Sequence, residues 1–308
     1  MKAGIKQINR CGFNLVELAV VLSVLGVLMG LLLPAIQRSR GSANRLKCLN
    51  NLKQIGLALH HAHDTHGRLP PYRSLPIGSI QPDYLLTWQA QVLPEMDQAS
   101  LWQLSAQACA VDPIPFHNPP HLGYSTVIPT YVCPSDPRLY SPLTTPSGDF
   151  CAFTSYIGVG GCVTFRSGSP MQLRGAMGDV PGIRFTDITD GTSNTLLVGE
   201  RPPPNSLQAG RWYSVLYGRE PNCGPEMILT VNGGLGSPFD IQCSNARTDY
   251  FFGRLDNPCD RFHFWSLHPA GANFVLADGS ARFVPYSAAG LLPALASRAG
   301  GETVQLPD

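Results

Sequence analysis

From Phe13 to Ile36 the chain carries an apolar run of 24 residues whose single charge, Glu17, lies in its first turns. Coiled as an α-helix the run would be about 36 Å long at roughly 1.5 Å per residue, enough to cross a bilayer with some tilt. A secretory signal peptide fits poorly. Its apolar region is about 7–15 residues long and ends at a small-residue cleavage site, whereas this run is longer and ends in Leu-Leu-Leu-Pro-Ala-Ile. A plain signal anchor explains the length but not Glu17, because a carboxylate near a bilayer centre costs about 3 kcal/mol and less towards the edge. Lys2, Lys6 and Arg10 precede the run and Arg38, Arg40, Arg45 and Lys47 follow it, so the flanking charge is nearly balanced. Long domains translocate largely regardless of such flanks, which leaves the N-terminus inside and the bulk of the chain outside the cytoplasm.

Gly12-Phe13-x-Leu15-x-Glu17 ahead of an apolar helix resembles the prepilin processing motif. The resemblance implies that a prepilin peptidase cuts between Gly12 and Phe13 and that Phe13 becomes the N-methylated N-terminus. It also implies that Glu17 pairs, during assembly, with the N-terminal amine of a neighbouring pilin-like subunit, compensating a carboxylate otherwise stranded in lipid. Pro34 falls where pilins commonly place a helix-kinking proline. Residues 1–12 are then a leader, and its loss turns the formal net charge from +1 to −2.

The helical period continues beyond the apolar run. Leu46, Leu49, Leu52, Ile55, Leu59 and Ala62 recur at three- and four-residue spacing, with Lys47, Asn50, Asn51, Gln54, His61 and Asp64 opposite. This predicts an amphipathic half-helix over 37–66 laid on a core, stopped by Gly67 and the Pro70-Pro71 pair. Residues 67–308 read as one β-rich extracytoplasmic domain. Its 31 Gly and 28 Pro, counted over the whole chain, favour turns and short strands, and only 14% of residues are charged.

Within that domain, Leu86–Leu104 reads as a short helical region interrupted at Pro94, with Trp88 and Trp102 in the core. Strands are predicted at Thr154–Val159, Gly182–Phe185, Thr195–Gly199, Trp212–Leu216 and Met227–Val231. Asp278-Gly279 predicts a two-residue type I′ turn that sets Phe274 opposite Phe283 and Leu276 opposite Ala281. A last helix runs from about Ser287 to Arg298. The predicted fold class is α+β, a long pilin-like N-terminal helix packed on an antiparallel sheet within a loop-rich domain. Eight of the nine cysteines follow the apolar run, none in a C-x-x-C pair. Up to four disulfides in any of 105 connectivities, or reduced buried thiols, both fit.

As a set, several stretches resemble a bacterial prepilin-like family of unknown function, numerous in planctomycetes, with a C-terminal H-x9-DG segment. They are Cys48-Leu49-Asn50-Asn51-Leu52-Lys53-Gln54-Ile55-Gly56, Trp88…Leu93-Pro94…Asp97-Gln98 and Tyr131-Val132-Cys133-Pro134-Ser135-Asp136. Thr154-Ser155-Tyr156, Asp187-Ile188-Thr189-Asp190-Gly191-Thr192-Ser193-Asn194-Thr195 and His268-Pro269-Ala270-Gly271-Ala272-Asn273-Phe274 leading to Asp278-Gly279 complete the set. The resemblance runs nearly end to end, with a less familiar insertion around 201–260.

Chemistry-bearing constellations are few. His60 and His63 share a helix face at metal-ligand spacing, although histidines at a helix C-terminus also complement its dipole. Asp187, Asp190 and Asn194 offer oxygen ligands for calcium, which some major pseudopilins bind in a loop, but the spacing lacks the EF-hand pattern and Asp-Gly is ordinary turn grammar. His268 and Asp278 invite a dyad, yet a strand over 273–277 puts the turn at Asp278 roughly 17 Å from its start at about 3.3 Å per residue, with His268 before that start and so at the opposite end of the hairpin. No nucleophile-elbow, zinc-protease or P-loop motif is present, and no polybasic face marks a nucleic-acid binder. The expectation is therefore a non-enzymatic pseudopilin-like subunit of a type II secretion or type IV pilus-like assembly. It would be a single-pass protein of the inner membrane, entering a periplasmic or extracellular filament, and needing no cofactor unless calcium binds. The alternative is a membrane-tethered module that binds a cell-surface or polysaccharide ligand.

Overall fold

A computed structural model describes residues 15–72, 86–112, 114–117, 119–161, 174–178, 181–214, 228–231, 243, 247–302 and 304. Gly12 and Phe13 therefore lie outside the described residues, as do Leu85, the ends of two predicted strands (215, 216 and 227), and Cys11, Cys162 and Cys223. The chain divides into two compact units between Ala43 and Asn44. Helix α1, Leu15–His66, is a single 52-residue element with Pro34 inside it, and belongs to both units. Up to Ala43 every described residue is exposed.

In the second unit the fold follows from one face of α1. Cys48, Asn51, Leu52, Ile55, Gly56, Ala58, Leu59 and Ala62 are buried, a three- and four-residue stripe against the core. The stripe is rotated from the predicted one. Leu46 is exposed and Leu49 only partly covered, whereas Asn51, expected on the polar face, is buried. Its amide is satisfied there, donating to the Val132 carbonyl at 3.0 Å and to the Tyr156 hydroxyl at 3.3 Å, so an apolar setting does not expel it. α1 ends where Gly67 N–H donates to His63 O.

Helices α2 (Trp88–Gln91), α3 (Ala99–Val111) and α4 (Leu122–Ser125) follow, with a 3₁₀ turn at Leu93–Met96 between the first two. Thr87 caps α2, and Trp88 is fully buried while Trp102 packs at the core margin. Strands β1 (Leu143–Thr144) and β2 (Phe150–Cys151) pair as a small hairpin. The main sheet holds β3 (Tyr156–Val159), β4 (Leu196–Glu200), β5 (Ile228–Leu229), β6 (Gly271–Leu276) and β7 (Ala281–Pro285), in the order β5-β3-β4-β6-β7. Its pairs are antiparallel except β3–β5, which is parallel, so the sheet is mixed rather than wholly antiparallel. The predicted strand over Gly182–Phe185 is extended chain entering a 3₁₀ turn at Phe185–Asp187. Around Trp212 the chain forms only isolated bridges, Phe153 with Arg211 and Leu86 with Ser214.

β6 is buried at all six positions because the sheet is covered on both faces. Side chains alternate across it. Val275 and Ala277 join Leu52, Ile55, Tyr156 and Val198 on the α1 side; Phe274 and Leu276 join Ile157, Leu196, Phe264 and Val284 on the other. Leu292 and Leu295 of α5 (Leu292–Ala296) close that second face. Within the span of the predicted final helix a 3₁₀ turn, Tyr286–Leu291, runs into α5, and Pro293 stands in the first turn of α5.

The β6–β7 turn differs from the predicted type I′. Gly279 N–H donates to Leu276 O and Leu276 N–H to Ser280 O, and of the turn residues only Gly279 (φ +81°) has a positive φ. This is a three-residue loop with a glycine bulge. The additional residue moves the register by one, so Phe274 lies opposite Arg282, Val275 opposite Ala281 and Asn273 opposite Phe283. A one-residue slip exchanges faces, and Phe283 instead lies beneath the Arg45 guanidinium of α1, 4.7 Å away.

α1 approaches this hairpin closely at Gly56, where a Cβ would lie 2.7 Å from Val275 Cγ2. Gly56→Val is expected to destabilise the second unit by about 1–3 kcal/mol through overpacking, read as a lower denaturation midpoint with unchanged m-value.

Candidate functional site

Two of the stretches that carry the family resemblance, residues 131–136 and 154–156, meet the buried face of α1. Cys48, in the second turn past the unit boundary, is disulfide-bonded to Cys133, which follows the 3₁₀ turn Pro129–Tyr131. Ser155, just before β3, holds that segment: its hydroxyl accepts from Cys133 N–H at 3.0 Å and its own N–H donates to Tyr131 O. Tyr156 donates its hydroxyl to Cys48 O at 3.5 Å. Burial drives the Tyr156 phenol pKa well above its ordinary value, with the Glu200 carboxylate pushing the same way, so the group remains a neutral donor. Asp136 forks onto Arg138 at 2.7 and 2.6 Å, and Arg138 reaches Asn205 and Pro203.

Two further side chains complete a buried polar cluster. Glu200 ends β4, and His268 sits in the loop before β6. His268 Nε2 is 3.3 Å from Glu200 Oε1 and 3.5 Å from Cys133 Sγ. The other carboxylate oxygen accepts from Asn273 N–H at 2.7 Å, and Ser266 Oγ accepts from His268 N–H at 3.0 Å. Cys48, Cys133, Glu200 and His268 are all buried, and one potential ligand atom from each lies within 4.8 Å of the others. Among the described residues this is the group of three or more Cys, His, Asp or Glu that could hold a metal.

The other candidate ligand and catalytic pairs resolve differently, each with local partners. His60 and His63 both pack on Phe185, with ring centroids 4.5 and 4.3 Å away, and His63 Nε2 accepts from Phe185 N–H at 3.3 Å. Asp187 accepts from Arg184 N–H. Asp190 accepts from Gly300 and Gly301 N–H and from Ser297 Oγ–H, while Asn194 donates to the Asp190 carbonyl. His268 pairs with Glu200 rather than with Asp278, whose carboxylate accepts from Ser280 N–H in the hairpin turn.

Cys48, Cys133 and His268 each stand in a stretch that carries the family resemblance, but nothing local in the sequence joins them, and Glu200 escapes a motif search altogether. The signal that could have found it is a glutamate closing an apolar strand, Leu-Leu-Val-Gly-Glu, where a solvated acid has no place.

Among the described residues the cysteines form two bridges. Cys243–Cys259 is the second disulfide, while Cys109 and Cys151 are buried and free. Cys109 Sγ is 3.9 Å from His121 Nδ1, but burial pushes the thiol up to about 11 and holds the imidazole below its ordinary value. The pair is therefore neutral, unlike a thiolate–imidazolium nucleophile.

An apolar helix joined to a mixed α+β domain with a buried Cys-Cys-His-Glu cluster defines a candidate single-span membrane-anchored module; one helix is long and apolar enough to cross a bilayer. The model of a family described as "Protein of unknown function (DUF1559)" matches residues 37–290, most of the chain, and the chain belongs to that family. No curated protein and no solved structure matches it.

The Cys48–Cys133 bridge spans 85 residues of sequence and ties α1 to the segment that follows the 3₁₀ turn Pro129–Tyr131. Replacing both cysteines by alanine is expected to lower the unfolding free energy of the detergent-solubilised chain by about 2–4 kcal/mol, measured by denaturant titration.

Proposed function

We propose that the chain is a pilin-like, pseudopilin-like subunit of a secretion or pilus-like assembly, processed between Gly12 and Phe13 and held in the inner membrane until it enters a filament. The observation that carries this reading is the build of α1. One unbroken helix has an exposed first half and a second half bearing the core of a folded domain. The exposed apolar residues run all round the first half, from Leu15, Val16 and Leu18 to Leu33 and Ile36. A helix apolar on every side needs apolar surroundings on every side. Lipid provides them for a stored subunit, and the same helices packed together provide them in a filament core.

Glu17 supports an assembly role. It lies in the first turn of α1, exposed, where a carboxylate complements the positive end of the helix dipole. In the filament it would meet the amine of a neighbouring Phe13, satisfying two charges that lipid solvates poorly. The domain would then be displayed outside the membrane, with export or surface attachment as its purpose and no catalytic step of its own.

Glu17→Ala is expected to leave the chain membrane-inserted at wild-type level while abolishing its cross-linking to other pilin-like subunits through the helix. Wild-type cross-linking by Glu17→Ala would overturn the filament reading and favour the tethered binding module, whose ligand affinity should survive deletion of residues 1–36.

A further inference from the structure

We propose that Cys48, Cys133, His268 and Glu200, with the two sulfurs reduced, form a closed site for one thiophilic divalent ion of the zinc class. The same four residues then lock α1 to the sheet by either of two chemistries, a disulfide or a metal centre.

The geometry carries the proposal. Tetrahedral zinc with bonds of about 2.3 Å to sulfur and 2.0–2.2 Å to nitrogen and oxygen sets its ligand atoms roughly 3.3–3.8 Å apart. Two edges of such a tetrahedron already have that length, Cys133 Sγ to His268 Nε2 at 3.5 Å and His268 Nε2 to Glu200 Oε1 at 3.3 Å. The four ligand atoms lie within 4.8 Å of one another, and the sulfur–sulfur edge must lengthen once the bond between them is broken. A second observation points to a ligand. Glu200 Oε1 is buried with no hydrogen-bond partner among the described residues and lies 3.3 Å from His268 Nε2. Its companion oxygen is fixed by Asn273 N–H, the outer contact that orients a ligating carboxylate.

The donor set selects the metal. Two thiolates and an imidazole favour zinc over calcium or magnesium, which take oxygen. All four ligands come from the protein and all are buried, which marks a structural site rather than one with an open position for substrate. The chemistry balances. A dithiol reductant gives two electrons and two protons to the Cys48–Cys133 bond and closes to its own disulfide. The metal then displaces the two thiol hydrogens as protons. A disulfide oxidant that takes the two electrons, and with two protons leaves as a dithiol, would expel the ion and restore the bridge.

The test uses the full chain in detergent, reduced anaerobically with a phosphine and titrated with cobalt(II), with circular dichroism to follow the fold. The expected result is one cobalt per chain, showing a thiolate charge-transfer band and tetrahedral d–d bands, displaced by zinc. Cys243→Ser/Cys259→Ser should bind as the wild type does, and Cys48→Ser/Cys133→Ser should not bind. His268→Ala and Glu200→Gln should each weaken binding more than about tenfold, the loss typical of even an outer-shell partner. Absence of the band in the reduced, folded chain overturns the proposal, and so does undiminished binding by His268→Ala. A reduced chain that unfolds and is not restored by one equivalent of zinc overturns it equally.

Discussion

The attachment of α1 to the sheet is the contact on which everything else depends. A helix with an exposed apolar half cannot organise a domain through that half, so residues 44–66 must supply the footing. They do so with an eight-residue stripe, a glycine that admits Val275, and a covalent bond from Cys48 to Cys133. Asn51 and Tyr156 add buried polar bonds between the helix, the Val132 segment and β3. Burying such groups costs free energy unless they are paired, and paired they specify one seating of the helix. The His268–Glu200 pair sits in the same place, fixed from behind by Ser266 and Asn273.

On the proposed pilin-like reading, force drawn along α1 would reach the domain through the contacts at Cys48, Asn51 and Gly56, and the Cys48–Cys133 bond would resist it. Among the described residues the free thiols Cys109 and Cys151 take no part and are held protonated by burial.

Much of this is legible in the sequence. The C-terminal end of α1 and the existence of β3, β4, β6 and β7 follow from period and turn chemistry, which are local. The stripe on α1 is rotated from its predicted face because polarity alone sends Asn51 outward, while the partners that hold it inside, Val132 and Tyr156, lie 81 and 105 residues away. The hairpin register differs from the predicted one because Asp278-Gly279 serves both a two-residue I′ turn and a three-residue loop with a bulge, and the dipeptide alone does not choose between them. The buried cluster is the least local feature of all. Its residues come from four segments, and no spacing rule joins a helix cysteine to a loop cysteine, a strand-end glutamate and a histidine near the end of the chain. Strand length alone separates His268 from Asp278, but it cannot point to Glu200, which meets His268 from a neighbouring strand.

The most direct test of the central claim is the mass of the N-terminal peptide of the chain isolated from native membranes. The expected species begins at Phe13 and carries one N-methyl group, as a helix prepared for assembly requires. An intact Met1, or a chain beginning after Ala35, would contradict the pilin-like account and leave an anchored or secreted β-rich domain in its place.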